Sequence, residues 1–486
     1  MRRELPPYFP FPFPTLKAIA LVLPLALGLG ACAKLPELDQ LGSVRPVASY
    51  QAGKSFAAPA IGWPSERWWQ GYGDPQLDTL IDEALRDAPD MAAVTARLRR
   101  AAAFVDSSHA ALLPQVSAGA SVTEQALSYN YLTPRAATPT GWQDYGQATL
   151  NVNWELDFWG KNRAGLAAAT SQLEASRAEF AQARLSLAAN IAANYAELAR
   201  LFAARDIAER SVAIRSQTVA LFSERFSNGM ETKGSLGEAR ARLAVAQGDQ
   251  LSINEQIGLQ CNRLAALAGS GPDRALTIRR PVVNLTGNFG LPAELASDLL
   301  GRRPDVTAAR LQVEAQLHRV DQKKAEFYPN VNLSGFIGLQ SLGLDTLVRS
   351  GSVFGSIGPA VSLPIFSAGR LQGELRQSAA GYNEAVAGYH GTLVHALEEV
   401  ANAGLSMKSL AAQVARGEEA VEDSSEAHRI ARNRYEGGLA NYLEVLSAED
   451  LLLNNQRNLV TLQSRAFSLD VALKRALGGG YHYDKI

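Results

Sequence analysis

Hydrophobic residues along this chain switch between two periods. In ATLNVNWELDF, Ala148, Leu150, Val152, Trp154, Leu156 and Phe158 alternate with Thr149, Asn151, Asn153, Glu155 and Asp157. Strict alternation places one set on each side of a pleated strand. The segment after Pro114 alternates too, with Val116, Ala118, Ala120 and Val122 opposite Ser117, Gly119, Ser121 and Thr123. Two later segments repeat this more weakly: Val331, Leu333, Gly335, Ile337 and Leu339, then Ile357, Pro359, Val361, Leu363 and Ile365. Strands of about 10–11 residues match a tilted strand crossing a bilayer. They also match half-buried strands of a soluble sheet. The polar side of ATLNVNWELDF holds two carboxylates and two asparagines, which suits a water-filled lumen as well as bulk solvent.

Between the strand pairs the period becomes helical. From about Asn162 to Ser227 there is no proline, and Leu166, Leu173, Phe180 and Leu187 recur every seven residues, followed by Ile191, Tyr195 and Leu198. This is a coiled-coil-like seam among alanines small enough to let helices approach closely. A second such stretch runs from about Arg370 to Tyr435. At ~1.5 Å per residue each helix is on the order of 100 Å long, too long to bury itself in one compact domain. Each ends in a turn with glycine, Ser227-Asn228-Gly229 or Glu436-Gly437-Gly438, where left-handed backbone angles are expected. A returning helix is predicted after each.

These elements occur twice. Pro89-Asp90 and Pro114 match Pro304-Asp305 and Pro329 at an offset of 215, while Gly160 and Gly229 match Gly369 and Gly438 at 209. One unit used twice, with a six-residue length difference in a loop, accounts for both offsets. The predicted organisation is a leader at 1–31, a tether at 32–62, a first repeat at 63–272, a linker at 273–290, a second repeat at 291–480 and a short tail at 481–486. The Ala126–Gln147 and Gln340–Phe354 stretches read as loops outside the cell, the first carrying Tyr129, Tyr131, Trp142 and Tyr145.

Composition alone suggests a large soluble protein: 486 residues, 47% hydrophobic, with 47 basic against 48 acidic residues. The balanced charge argues against a nucleic-acid partner. The mean hydropathy of −0.08 argues against a bundle of membrane helices. The N-terminus changes that picture. Arg2, Arg3 and Lys17 precede the apolar run Ala18–Gly30, which is short for a membrane span and right for a signal-peptide core. It ends in Leu29-Gly30-Ala31-Cys32, which resembles the bacterial lipobox and marks Cys32 for lipidation. Ala33 after it resembles the sorting signal for the outer membrane. Removing residues 1–31 leaves a net charge of −3. The other cysteine, Cys261, lies in a helical pattern and reads as packed core.

Membrane strands must close into a barrel, and eight strands is about the smallest natural number. Four strands per chain therefore require an oligomer. Two copies give the minimal barrel, and three give twelve strands with six half-repeats around one axis.

Several motifs, in order, resemble the TolC-like outer membrane efflux factor family, in its lipid-anchored NodT-type branch. They are RWWQGYGDPQLDTLIDEAL from Arg67, WELDFWGKNRA from Trp154, LLGRRPDVTAARLQVEA from Leu299, LPIFSAGRLQGEL from Leu363, NRYEGGLANYLEVLSAEDLLL from Asn433 and ALGGGY from Ala476. The resemblance covers nearly all of the mature chain. It implies a mixed α/β membrane protein with long helices and four transmembrane β-strands per chain. It implies a homotrimer whose twelve-stranded β-barrel sits in outer membrane lipids on an α-helical periplasmic tunnel. The partners implied are a periplasmic adaptor and an inner-membrane pump of the resistance–nodulation–division (RND) type.

Nothing in the sequence points to catalysis, a cofactor or a metal. The six histidines lack ligand spacing, and there is no nucleophile motif or phosphate-cradling loop. Function is expected in the pore and its periplasmic closure, at the helix–turn–helix tips. By resemblance to the pattern YLEVLDAE, the gate candidates are Tyr442, Leu443, Glu444, Ser447, Glu449 and Asp450, with Ser447 standing where relatives carry aspartate. Glu449 or Asp450 is expected to form a negative ring around the axis. The first tip has Ser235 where relatives often carry aspartate, and an extra glycine, Gly234. The tip candidates for adaptor docking are Arg225, Phe226, Asn228, Gly229, Arg434, Tyr435, Gly437 and Gly438. Arg225-Phe226 and Arg434-Tyr435 occupy equivalent places and either meet the partner or clamp neighbouring helices. Two other functions fit less well: the exit duct of a type I protein-secretion system, and a lipid-anchored coiled-coil scaffold without a pore.

Overall fold

The computed structural model describes residues 40–46, 49–50, 53–128, 130, 135–285, 290–292 and 295–483. The leader, Cys32, Tyr129 and Tyr131 lie outside these. In chain order the regular elements are α1 (Pro75–Asp87), α2 (Pro89–Ala110), β1 (Gln115–Ala126), β2 (Trp142–Leu156), α3 (Lys161–Ser227), α4 (Lys233–Leu267), α5 (Leu295–Arg302), α6 (Pro304–Ala325), β3 (Asn330–Leu342), β4 (Val353–Ser362), α7 (Arg370–Glu436) and α8 (Tyr442–Ala476). Helices α3 and α7 have 67 residues each, and α4 and α8 have 35 each. Among the described residues, no helix is long and apolar enough to cross a membrane.

The chain divides into two compact units. One holds, among the described residues, 40–42, Phe104–Thr170 and Ala315–Asn383; the other holds Ser43–Ala103, Ser171–Glu314 and Glu384–Ile486 as far as 483.

The first unit is built on one antiparallel sheet in the order β1-β2-β3-β4. Its register aligns the apolar positions of all four strands. Ala118 pairs with Leu150, which pairs with Ile337; Val152 pairs with Gly335, which pairs with Ile357; Leu156 pairs with Val331, which pairs with Val361. Because side chains alternate along a strand, these residues make one continuous apolar face. Val116 (62% exposed), Ile337 (60%), Ile357 (81%) and Val361 (66%) stand open on it. The opposite face carries rows such as Ser117, Asn151, Phe336 and Ser356. Strand β4 stops at Ser362, short of the expected Ile365, because Pro364 has no N–H to continue a ladder.

The strands join their helices through specific bonds. Asp157 accepts from the Asn162 and Arg163 amides at the start of α3 (3.2 and 2.8 Å), and such carboxylate caps satisfy otherwise free helix donors. Lys161 pairs with Glu155 at 2.6 Å. The indole of Trp154 donates to Leu112 O (2.9 Å), and that of Trp159 to Pro329 O (2.8 Å).

The second unit has a core in which Trp68, Trp69, Tyr72, Leu77, Leu80 and Ile81 pack on Ile191, Tyr195 and Leu198 of α3, Cys261 and Leu264 of α4, and Phe467 and Val471 of α8. Cys261 is a buried free thiol, as its helical setting predicts. Asp74 caps α1 by accepting from the Gln76 amide (3.0 Å), and also accepts from the Tyr195 hydroxyl (2.6 Å) and the Val282 amide (2.8 Å). One buried carboxylate thus joins three segments. Many of the buried positions of α3 are alanines. Ala175, Ala178, Ala188 and Ala192 are buried, whereas the seam residues Leu173, Phe180 and Leu187 are half-buried. The ALGGGY motif has a steric reason: a Cβ at Gly480, which has φ +84°, would lie 2.3 Å from Glu66 N.

Candidate gate at the helical tips

Four helix ends of the second unit share a small core. Phe222 of α3, Leu236 and Ala239 of α4, Tyr435 of α7 and Val445 of α8 are buried against one another. Both turns close through left-handed glycines, Gly229 at φ +72° and Gly438 at φ +75°. After them the amides of Met230 and Leu439 donate back to Arg225 O (2.8 Å) and Arg434 O (2.7 Å), which satisfies carbonyls at the helix ends. Thr232 and Asn441 then cap the returning helices, accepting from the Ser235 and Glu444 amides at 3.1 Å each.

Two polar systems tie the first hairpin (α3–α4) to the second (α7–α8). One centres on Glu231. Its carboxylate accepts from the Tyr435 hydroxyl (2.6 Å), the Ser235 hydroxyl (2.5 Å) and the Thr232 amide (3.1 Å). Burial opposes ionisation of Glu231, but these donors outweigh it and hold the carboxyl below its usual range. Burial and the bond to Glu231 push the Tyr435 hydroxyl well above the usual phenol range. The Arg225 guanidinium lies over the Tyr435 ring at 4.5 Å.

The other system lies further along the same hairpins. Arg215 of α3 pairs with Glu449 (3.3 Å) and Asp450 (3.0 Å) of α8, and Arg242 of α4 pairs with Asp450 (2.5 Å) and Glu238 (3.0 Å). Thr218 donates to Glu449 at 3.1 Å. Glu449 is 1% exposed. Burial raises its pKa, against the opposing pull of the Thr218 hydrogen bond and Arg215.

The remaining candidates separate clearly. Tyr442 is half-buried with its ring edge-on to Phe222 at 5.9 Å. Glu444 is exposed and pairs with Arg434 at 3.3 Å. Leu443, Ser447 and Leu451 follow one another at i, i+4, i+8 on one exposed stripe of α8, Leu443 and Leu451 each 52% open. Phe226, Asn228, Gly229, Gly437 and Gly438 are exposed at the turns. Tyr435 is buried and clamps the two hairpins. Glu449 and Asp450, expected to line a negative ring, each pair with arginines of their own chain. Ser235, which departs from the expected aspartate, is buried with its hydroxyl on Glu231. Sequence reasoning missed Arg215, Thr218, Glu231 and Arg242, for which no local motif gives a signal.

The efflux-protein model described as "Outer membrane efflux protein" matches residues 80–270 and again 295–479. The chain belongs to the outer membrane efflux protein family. Within that family it is 31% identical over 427 residues to the multidrug resistance outer membrane protein MdtP of Escherichia coli K12, covering 86% of this chain and 87% of that one. It is 49% identical to the solved outer membrane protein VceC of Vibrio cholerae, with a TM-score of 0.83, over 86% of this chain and all of VceC. The Campylobacter jejuni channel CmeC, 24% identical, shares the fold at a TM-score of 0.83 over 93% of this chain and 95% of its own. This efflux protein is an outer membrane exit duct, and its family members are channels.

Proposed function

We propose that three copies close one twelve-stranded barrel, anchored by lipid on Cys32, above a periplasmic helical tunnel. The duct serves a periplasmic adaptor and an RND-type inner-membrane pump and carries small molecules outward. The observation that carries this reading is the open sheet, whose apolar face is continuous while the outer edges of β1 and β4 have no partner strand among the described residues. Open edges are not tolerated in hydrocarbon, and closure removes them. Along β2 this face runs from Gly146 to Leu156, ten steps, about 33 Å at ~3.3 Å per residue, or about 25 Å when tilted near 40°. That matches the apolar band of an outer membrane barrel. Paired helix lengths support one unit used twice, at 63–272 and 291–480, joined by the 273–290 linker.

At the periplasmic end, Leu443, Ser447 and Leu451 of three copies form the constriction. The arginine–carboxylate system and the Glu231–Tyr435 bond hold each chain's hairpins together in the closed state. Phe226, Asn228, Gly229, Arg434, Gly437 and Gly438 face the adaptor. Native mass spectrometry of the full lipoprotein in detergent tests the assembly. The reading expects a species of three mature chains; a monomer or dimer alone overturns it.

A further inference from the structure

The polar side of the sheet carries a pair of phenylalanines in contact across two strands. Phe336 of β3 and Phe354 of β4 share it with Asn332, Ser334, Gln340 and Ser356 by strand alternation. Their rings touch at 5.1 Å between centroids, tilted by 57°. Both stay half-exposed. Phe336 stands opposite Ser356 on one side and Asn151 on the other, and Phe354 stands opposite Gly338. A Cβ at Gly338 would meet Ala148 O at 2.2 Å, so that floor stays bare. The pair therefore stands among glycine, serine and asparagine, half-exposed, with its rings against each other.

We propose that this pair is a binding station for aromatic solutes inside the duct. The inference rests on the trimeric barrel proposed above, which turns the polar side inward and brings three such pairs to one level of the lumen. Half-exposed rings in a water-filled passage present faces and edges to a planar solute, and stacked or edge-to-face contacts add to simple apolar burial. The serine, asparagine and glutamine around them are uncharged, so recognition is by ring rather than by charge sign. An apolar pair there stabilises the sheet as well, as cross-strand aromatics do. Blocking by a solute is a readout that this structural role does not move.

The test records current through the full-length protein in planar bilayers, with tetraphenylphosphonium or tetrabutylphosphonium added as blocker. The two cations match in charge and apolar character, and only one has rings. The proposal expects tetraphenylphosphonium to block at about tenfold lower concentration, the factor of roughly one aromatic contact. It expects F336L/F354L, which keeps apolar bulk, to erase that preference, while I357L on the other face retains it. Equal block by both cations in the wild type, or a preference that survives F336L/F354L, overturns the station. Absence of any stepwise current in the wild type overturns the barrel reading, and the station with it.

Discussion

Replacing Tyr435 with phenylalanine isolates one bond between the two hairpins. The ring keeps its contacts with Phe222 at 5.4 Å and with Arg225 at 4.5 Å. Only the 2.6 Å hydroxyl bond to Glu231 is lost. A hydrogen bond to a charged group contributes about 1.5–3 kcal/mol. Glu231 keeps Ser235 and Thr232, so the lower half of that range applies, about 2 kcal/mol. At ~1.4 kcal/mol per decade, the equilibrium for local separation of the hairpins shifts about thirtyfold. Amide hydrogen exchange reads this directly, because protected amides exchange through such local openings. Amides at 219–226 and 432–436 should exchange about thirtyfold faster in Y435F, with the β1–β4 sheet unchanged. Less than a twofold change at the tips would refute the bond as a clamp. Equal acceleration in the sheet would show that the variant acts through global unfolding.

The same clamp has a pH dependence. Glu231 has a folded pKa below its unfolded value of about 4.5, so its contribution is present above that value and is lost as pH falls through the folded pKa; tip exchange should accelerate below about pH 4.5 in the wild type and less so in E231Q. Removing Arg215 leaves Glu449 buried beside Asp450 without its guanidinium, and loss of one partner of a buried pair costs about 3–5 kcal/mol. R215A should lower the thermal midpoint at pH 7. Because the Glu449 pKa is raised, the protein is more stable below its unfolded pKa and loses that stability as pH rises through the folded one; acidification toward pH 5, or the second change E449Q, should recover part of the loss in R215A. An equal deficit in R215A and R215A/E449Q contradicts this. The two sheet faces predict opposite tolerances: I357K places a charge on the apolar face and should destabilise the membrane-inserted, heat-resistant assembly by about 2–4 kcal/mol, whereas S356K on the polar face should assemble normally. Equal assembly of the two variants removes the face assignment.

Much of this architecture is legible in residue order. The proline-free stretch after Gly160 predicts a helix from Asn162 to Ser227, and α3 runs Lys161–Ser227. The alternation of Val116, Leu150, Val331 and Ile357 anticipates the strands, because a period of two needs only neighbouring residues to be seen. Gly229 and Gly438 announce left-handed turns for the same local reason. The tip electrostatics are not legible in this way. Asp450 finds Arg242 across 208 residues and Arg215 across 235. No spacing rule links residues so far apart, since the pairing depends on how two hairpins pack. Glu449 illustrates the consequence: as a carboxylate near a predicted pore it suggests a charged ring, but its helix face turns it inward onto Arg215 and Thr218. Ser235 shows the converse, where an apparent departure from a motif is explained by a neighbour, Glu231, that supplies the carboxylate.

In the proposed conducting ring of three, β4 of one copy pairs with β1 of the next. Single cysteines replacing Ser121 on β1 and Ser356 on β4 of one chain, with Cys261 changed to alanine, provide the test when joined by a short bismaleimide in native outer membranes. The expected product is a ladder ending at a covalent trimer that still gives stepwise currents in a planar bilayer. Links confined within single chains, or a linked series that continues past three, would contradict it.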